Sequence, residues 1–235
     1  YGKSTIGNRS DIERVPIENL QAFYKKYYQP DNAILMVAGK VDEEKTLALV
    51  NQYFSPIPKP TRILPQTYTT EPVQDGERFV EVKRVGDVQM AMAAYHIAPG
   101  AHEDYAPTEV LTELLSAEPY GRLYKNLVET KKASSQFGFA FQLYDPGYVL
   151  FGLELLKEKS LEEAKNAFLA TLDSTASLKP SAEDVERAKT TILKNWDLQF
   201  RNAERVGLGI SEYIAFGDWR VAFLFRDRIR KVTAD

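Results

Sequence analysis

The chain has 235 residues, 44% of them hydrophobic, which is enough apolar material for one large core or two smaller ones. Its 30 Lys and Arg against 33 Asp and Glu give a formal charge of −3 with the signs interspersed, which excludes the basic footprint that nucleic acid or an anionic membrane surface requires. It has no cysteine, so disulfide frameworks, thiolate metal sites and cysteine nucleophiles are excluded, and no apolar run approaches the ~20 residues of a spanning helix.

The first residues, Tyr1 without a Met and then Gly2-Lys3-Ser4-Thr5, resemble the tail of a phosphate-binding loop, but no glycine precedes them at the needed spacing. Ser10-Asp11-Ile12-Glu13 has the spacing of a capping box, and Leu20, Phe23, Tyr24 and Tyr27 share one face of a helix over 17–28. Pro30 fixes φ and has no amide proton, so it ends that helix, and Asp31-Asn32 turns the chain into an apolar run. The run, 33–38, is expected to be a short buried strand released by Gly39. Asp42 then caps a helix over 42–54 carrying Leu47, Val50 and Phe54.

Five prolines between Pro56 and Pro72 describe an extended, semi-rigid connector. We therefore expect a first segment over 1–55, a linker over 56–72 and a second domain over 73–235. That domain should open with paired strands, 79–85 and 88–97, turned at Gly86-Asp87. Helices are expected over 105–117 and 122–131, and two strands between 134 and 156 hinged at Asp145-Pro146-Gly147. Ser160 and Ser181 cap two further helices, the second aligning Val185, Ala188, Ile192, Trp196 and Phe200 as core, and 202–230 continues helical with a break at Gly217-Asp218. This order of elements argues for an α+β fold, an antiparallel-rich sheet with helices packed on one face.

Residue chemistry points to no catalytic constellation. His96 and His102 are the only histidines, and their spacing across Pro99-Gly100 does not put them on one face, as a hydrolytic zinc site would need. His96 is expected to end a strand and His102 to lie in a loop. Acidic residues gather at helix starts (Asp42, Glu43, Glu44, Glu162, Glu163, Glu183, Asp184), where the helix dipole accounts for them. Gly207-Leu208-Gly209 reads as a close helix contact.

Several blocks resemble one family in order along the chain. They are Tyr1-Gly2 with Ile6-Gly7, Tyr28-x-Pro30-x-Asn32 with Gly39, Arg122-Leu-Tyr-Lys-x-Leu127, Asp145-Pro-Gly147, and Gly217-Asp-Trp-Arg220 running on to Arg226-Asp-Arg-Ile-Arg-Lys-Val-Thr233. Together they resemble the pitrilysin/insulinase family of zinc metallopeptidases. The resemblance implies homologous α+β domains in pairs, enclosing a chamber that admits unstructured peptides. It also implies a zinc-bearing domain with His-x-x-Glu-His on a helix. That motif does not occur here, so 1–55 would be the end of the zinc-peptidase-like domain and 73–235 the second, non-catalytic one.

Family halves that assist catalysis from across the chamber carry an Arg and a Tyr seven residues apart; the corresponding places here hold Val128 and Ser135. No catalytic, cofactor-binding or metal residue is therefore assigned. The resemblance implies zinc in the intact parent and none in this segment, peptide or unfolded polypeptide as substrate, and partnership with remaining domains or a paired subunit. The fragment is expected to be inactive alone and prone to self-association. A non-catalytic partner subunit and an unrelated interaction module are the alternatives, and the compartment is open between bacterial envelope and cytoplasm.

Overall fold

Side-chain oxygens start most of the longer helices. In the computed structural model, which describes residues 5–66, 70–177 and 179–235, Asp42 accepts from the Lys45 amide at 3.0 Å and opens helix α3 (Glu43–Phe54). Ser160 accepts from Glu163 N to open α5 (Leu161–Asp173), Ser181 from Asp184 N to open α6 (Ala182–Gln199), and Asn202 from Arg205 N to open α7 (Ala203–Ala215). Each cap satisfies an amide that the helix itself cannot, and acidic residues in each first turn complement the dipole.

The chain divides into two compact units, residues 1–82 and 83–235. In the first, α1 (Arg9–Arg14) and α2 (Ile17–Tyr27) precede a 3₁₀ turn, Pro30–Asn32, and then α3. Ser10 is not the cap expected of it. It lies inside α1, because Asn8 already takes the extended backbone of the cap position, with its amide on Asp11 at 3.2 Å. The expected strand over 33–38 is not formed either: no ladder pairs it among the described residues, and an extended backbone becomes a strand only when a neighbour takes its amides. Ile34, Leu35 and Val37 are exposed within this unit, and no described residue of it is buried. Asp31 and Arg62 form a bidentate pair at 2.8 and 2.9 Å that ties the Pro30 turn to the proline-rich segment.

The second unit holds the core. Strands β1 (Val88–Ile97), β2 (Ser135–Ala140) and β3 (Gly147–Leu156) form an antiparallel sheet in the order β1-β3-β2. β1 pairs with β3 along its whole length, Val88 opposite Leu156 and Ile97 opposite Gly147. The hairpin expected at Gly86-Asp87 is absent among the described residues. Asp87 serves the end of the β1–β3 ladder instead, its carbonyl accepting from Lys157 N and its carboxylate from Lys157 Nζ at 2.6 Å. The Asp145-Pro146-Gly147 turn joins β2 to β3 as expected.

One face of the sheet is packed. Val149, Phe151, Leu153 and Leu155 are buried against Leu115, Leu123, Leu127, Phe168 and Leu172, supplied by α4 (Tyr105–Ser116), the segment 122–128 and α5. Each fully buried Leu or Phe contributes on the order of 1.5–3 kcal/mol through removal of apolar surface from water. Gly138 lets α4 close on β2, since a Cβ there would stand 2.7 Å from that of Ser116 and 2.6 Å from the Phe151 ring. On the opposite face Phe137 stacks on Phe139, Phe141 meets Phe139 edge-on and Tyr148 lies tilted against Phe141, with centroids 5.7, 5.1 and 4.2 Å apart in that order. The fold is thus α+β, helix-rich, with helices on one face of an antiparallel sheet.

The helix expected over 122–131 is shorter and wider than a regular α-helix. From Tyr124 to Val128 it is a single π turn, with Glu129 N on Tyr124 O, and it closes when Lys132 N and Ala133 N both converge on Leu127 O. Leu123 and Leu127 are both fully buried. After α7, Gly217 adopts φ +100°, which a side chain would resist, and the chain turns through Asp218 into α8 (Val221–Lys231). Trp196 and Phe200 stack at 4.1 Å and pack, half-buried, on Phe223 of α8, so the aromatic end of the α6 stripe serves helix packing. Among the described residues no helix is long and apolar enough to cross a membrane.

Candidate functional site

Helix α4 carries two carboxyls, Glu109 and Glu113, one turn apart on an otherwise uncharged helix, and each is met by a tyrosine. Tyr105, one turn before Glu109, is buried and its hydroxyl lies 3.4 Å from Glu109 Oε2 and 3.1 Å from the carbonyl of Ala140 at the end of β2. Tyr120 donates to Glu113 Oε1 at 2.6 Å and lies 3.2 Å from Thr191 Oγ1 of α6, with the Arg187 guanidinium over its ring at 5.3 Å. The two pairs tie α4 to β2 on one side and to α6 on the other.

Electrostatics separates them. Burial raises Glu109 to about 7, against which the Tyr105 hydrogen bond pulls down; the neighbouring charge of Glu113 adds to the rise. Tyr105 is pushed far up, first by burial and then by the Glu109 charge. Tyr213 of α7 is pushed up to about 12 by burial and, secondarily, by Glu109, which places its phenol within electrostatic reach of that carboxyl. Tyr120 is raised by burial and by its bond to Glu113. This is the most strongly perturbed group of ionisable side chains in the described residues, and the sequence reading missed it. The visible signal was Tyr105, Glu109 and Glu113 at four-residue spacing, with Val110, Leu114 and Leu115 around them.

The residues weighed from sequence lie apart. His96 is the penultimate residue of β1 and His102 lies in the loop before α4, where its Nδ1 accepts from Asp104 N at 3.2 Å. Val128 ends the π turn, and Ser135 begins β2 with its hydroxyl 3.4 Å from Glu154. Gly2, Lys3 and Ser4 lie outside the described residues. Gly209 faces α6 through the side chain of Gln199, the close helix contact expected of it.

The donor set does not fit a zinc centre. A hydrolytic site takes three convergent protein ligands, and among the described residues no three of His, Cys, Asp or Glu converge. His102 is moreover committed to its own loop.

Residues 14–192 match the family described as the peptidase M16 inactive domain, and the chain belongs to that family. It is 30% identical over 178 residues to the zinc protease PqqE of Helicobacter pylori, covering 73% of this chain and 40% of that protein. With the probable zinc protease PqqL of Escherichia coli it shares 23% over 203 residues, 22% of that protein's length. The chain thus spans less than half of these relatives.

Among solved structures, the inactive peptidase domain of a Bordetella parapertussis protein is 39% identical, with a TM-score of 0.60 over 66% of this chain and 85% of that one. A protease from Helicobacter pylori gives a TM-score of 0.89 at 24% identity, over 97% of this chain and 56% of that one. An M16 inactive domain from Pseudomonas fluorescens shares the fold at a TM-score of 0.74 and 16% identity, over all of this chain and 55% of that one.

Proposed function

We propose that this chain is the non-catalytic portion of a zinc-dependent metalloendopeptidase, supplying wall and packing surface to the chamber in which peptides are cut while another portion of the same protein, or a paired subunit, holds the metal. The match of residues 14–192 to an inactive peptidase domain carries this reading. The names of the relatives, zinc proteases in Helicobacter and Escherichia and a presequence protease in Drosophila, support the reaction class. Peptides or unfolded polypeptides are the substrates this reading implies. No catalytic step is assigned to Val128, Ser135, His96 or His102, and the boundaries we assign are 1–55 for the end of the first peptidase-like domain and 73–235 for the second.

One structural neighbour, from Escherichia coli, is described as a periplasmic protease, and the bacterial envelope and the cytoplasm are the two compartments this reading allows. The deciding assay uses the intact parent with a quenched peptide, with and without chelator. Chelator-sensitive cleavage supports the reading. Zinc-independent cleavage, or none, counts against it and favours a structural partner subunit of the same family.

A further inference from the structure

The Tyr105 hydroxyl has one proton and faces two acceptors, Glu109 Oε2 at 3.4 Å and the Ala140 carbonyl at 3.1 Å. It can serve only one of them as donor. The shorter contact is to Ala140. With that bond made, an ionised Glu109 would point a carboxylate at the lone pairs of the phenol oxygen, which is unfavourable in a half-buried site. A neutral Glu109 instead donates its own proton to Tyr105, and a continuous chain runs from Glu109 through Tyr105 to Ala140.

We propose that Glu109, Tyr105 and the Ala140 carbonyl form a proton-gated latch, which ties α4 to the end of β2 while the Glu109 carboxyl is neutral and loosens when it ionises.

The surroundings favour this reading. Along α4 the nearest charge is Glu113, of like sign. β2 brings no charged side chain, and α7 brings the phenol of Tyr213. Several cations of α6 and α8 have partners elsewhere. Lys189 bonds Glu186 and the Val232 carbonyl, and Arg187 bonds Glu183 and Asp184. Arg226 pairs with Asp227, and Arg228 donates to the carbonyls of Ala101 and His102. No cation is among the groups that shift the Glu109 carboxyl. The rise of Glu109 to about 7 has the same direction, with burial its first cause; a Tyr105 proton turned from Ala140 to the ionised carboxylate opposes it.

The sign follows from proton counts. Between the ordinary value of 4.5 and about 7 the folded chain holds a proton at Glu109 that the unfolded chain has lost, so stability falls as pH rises through that interval and levels above it. The latch is independent of the peptidase reading.

The test measures the folding equilibrium of this chain by urea titration at about pH 5 and about pH 8, with amide hydrogen exchange at residues 139–142, for the wild type and Glu109→Gln. A glutamine keeps a donor for Tyr105 but carries no charge. The wild type should lose on the order of 100-fold in its folding constant between the two conditions and exchange faster at 139–142 at the higher pH. Glu109→Gln should lose most of that dependence and keep the slow exchange. An unchanged pH slope in Glu109→Gln overturns the proposal. Where that variant fails to fold, carbon-13 titration of the Glu109 carboxyl in the wild type decides: a midpoint near neutrality upholds the latch, and one near the ordinary carboxylate value overturns it.

Discussion

The Phe137 ring lies across Gly152 on the neighbouring strand, occupying the space a side chain would fill. Phe137 and Gly152 are direct partners in the β2–β3 ladder, and a Cβ at Gly152 would stand 2.7 and 2.8 Å from two ring carbons. The ring depends on the glycine. Gly152→Val should therefore displace Phe137 from the stack it shares with Phe139 and cost about 1–3 kcal/mol, as overpacking does. Urea denaturation of the two proteins would show it, and a variant as stable as the parent would refute the contact.

The two faces of the sheet should respond unequally to truncation. Leu123 is fully buried beneath the packed face, so Leu123→Ala should cost about 2–5 kcal/mol. Phe139, 42% exposed on the other face, should cost under about 2 kcal/mol when changed to alanine. Thermal unfolding of both variants side by side would rank them, and equal losses would contradict the one-sided packing.

Ser181 acts at both ends of its contact with Asp184, accepting from the amide at 3.1 Å and donating to the carboxylate at 2.7 Å. Ser181→Ala should cost about 1 kcal/mol. The Ser181 hydroxyl also holds the Asp184 carboxyl below its ordinary value, so the contribution is present above the ordinary carboxylate range and is lost as pH falls through the depressed one. The gap between wild type and variant should accordingly narrow on acidification, which denaturation curves at a series of pH values would reveal.

Metal analysis gives a further check. The two histidines lie in separate elements and one is engaged by its own loop, so the purified chain should retain no stoichiometric zinc after dialysis. One tightly held zinc per chain would refute the assignment of the metal to another portion of the parent.

The helices were readable because their signals are local. Ser160, Ser181 and Asp42 announce their helices within three residues, and Asp145-Pro146-Gly147 turns a hairpin whose strands adjoin in sequence. The errors came where a partner had to be chosen at a distance. Strand β1 was assigned to the adjacent run 79–85, yet it pairs with β3, and nothing in 88–97 names that partner. The run 33–38 has a strand's composition without a neighbouring strand to complete it. The π turn at Tyr124 was hidden because its hydrogen bonding answers to the burial of Leu123 and Leu127, not to propensity.

The Glu109 group escaped for a related reason. Two glutamates four apart on a helix read as a solvated edge, and only the burial that comes with packing, with the like charge of Glu113 beside it, makes one of them an unusual acid. By contrast Gly209 and the Trp196 stripe were legible, since spacing alone put them on packed faces.

The pairing of β1 with β3 also sets an order of events when the chain folds. β2 and β3 can zip from their shared turn, and α5, α6 and α7 can each start at their own cap, all without long loops to close. Strand β1 has a loop of about fifty residues to close before it meets β3, so contact order predicts that it joins last, bringing Ala91 and Ala93 to the core. In a chain where β1 has not yet docked, one edge of β3 is bare, and an unpaired edge is a template for pairing with a neighbouring chain.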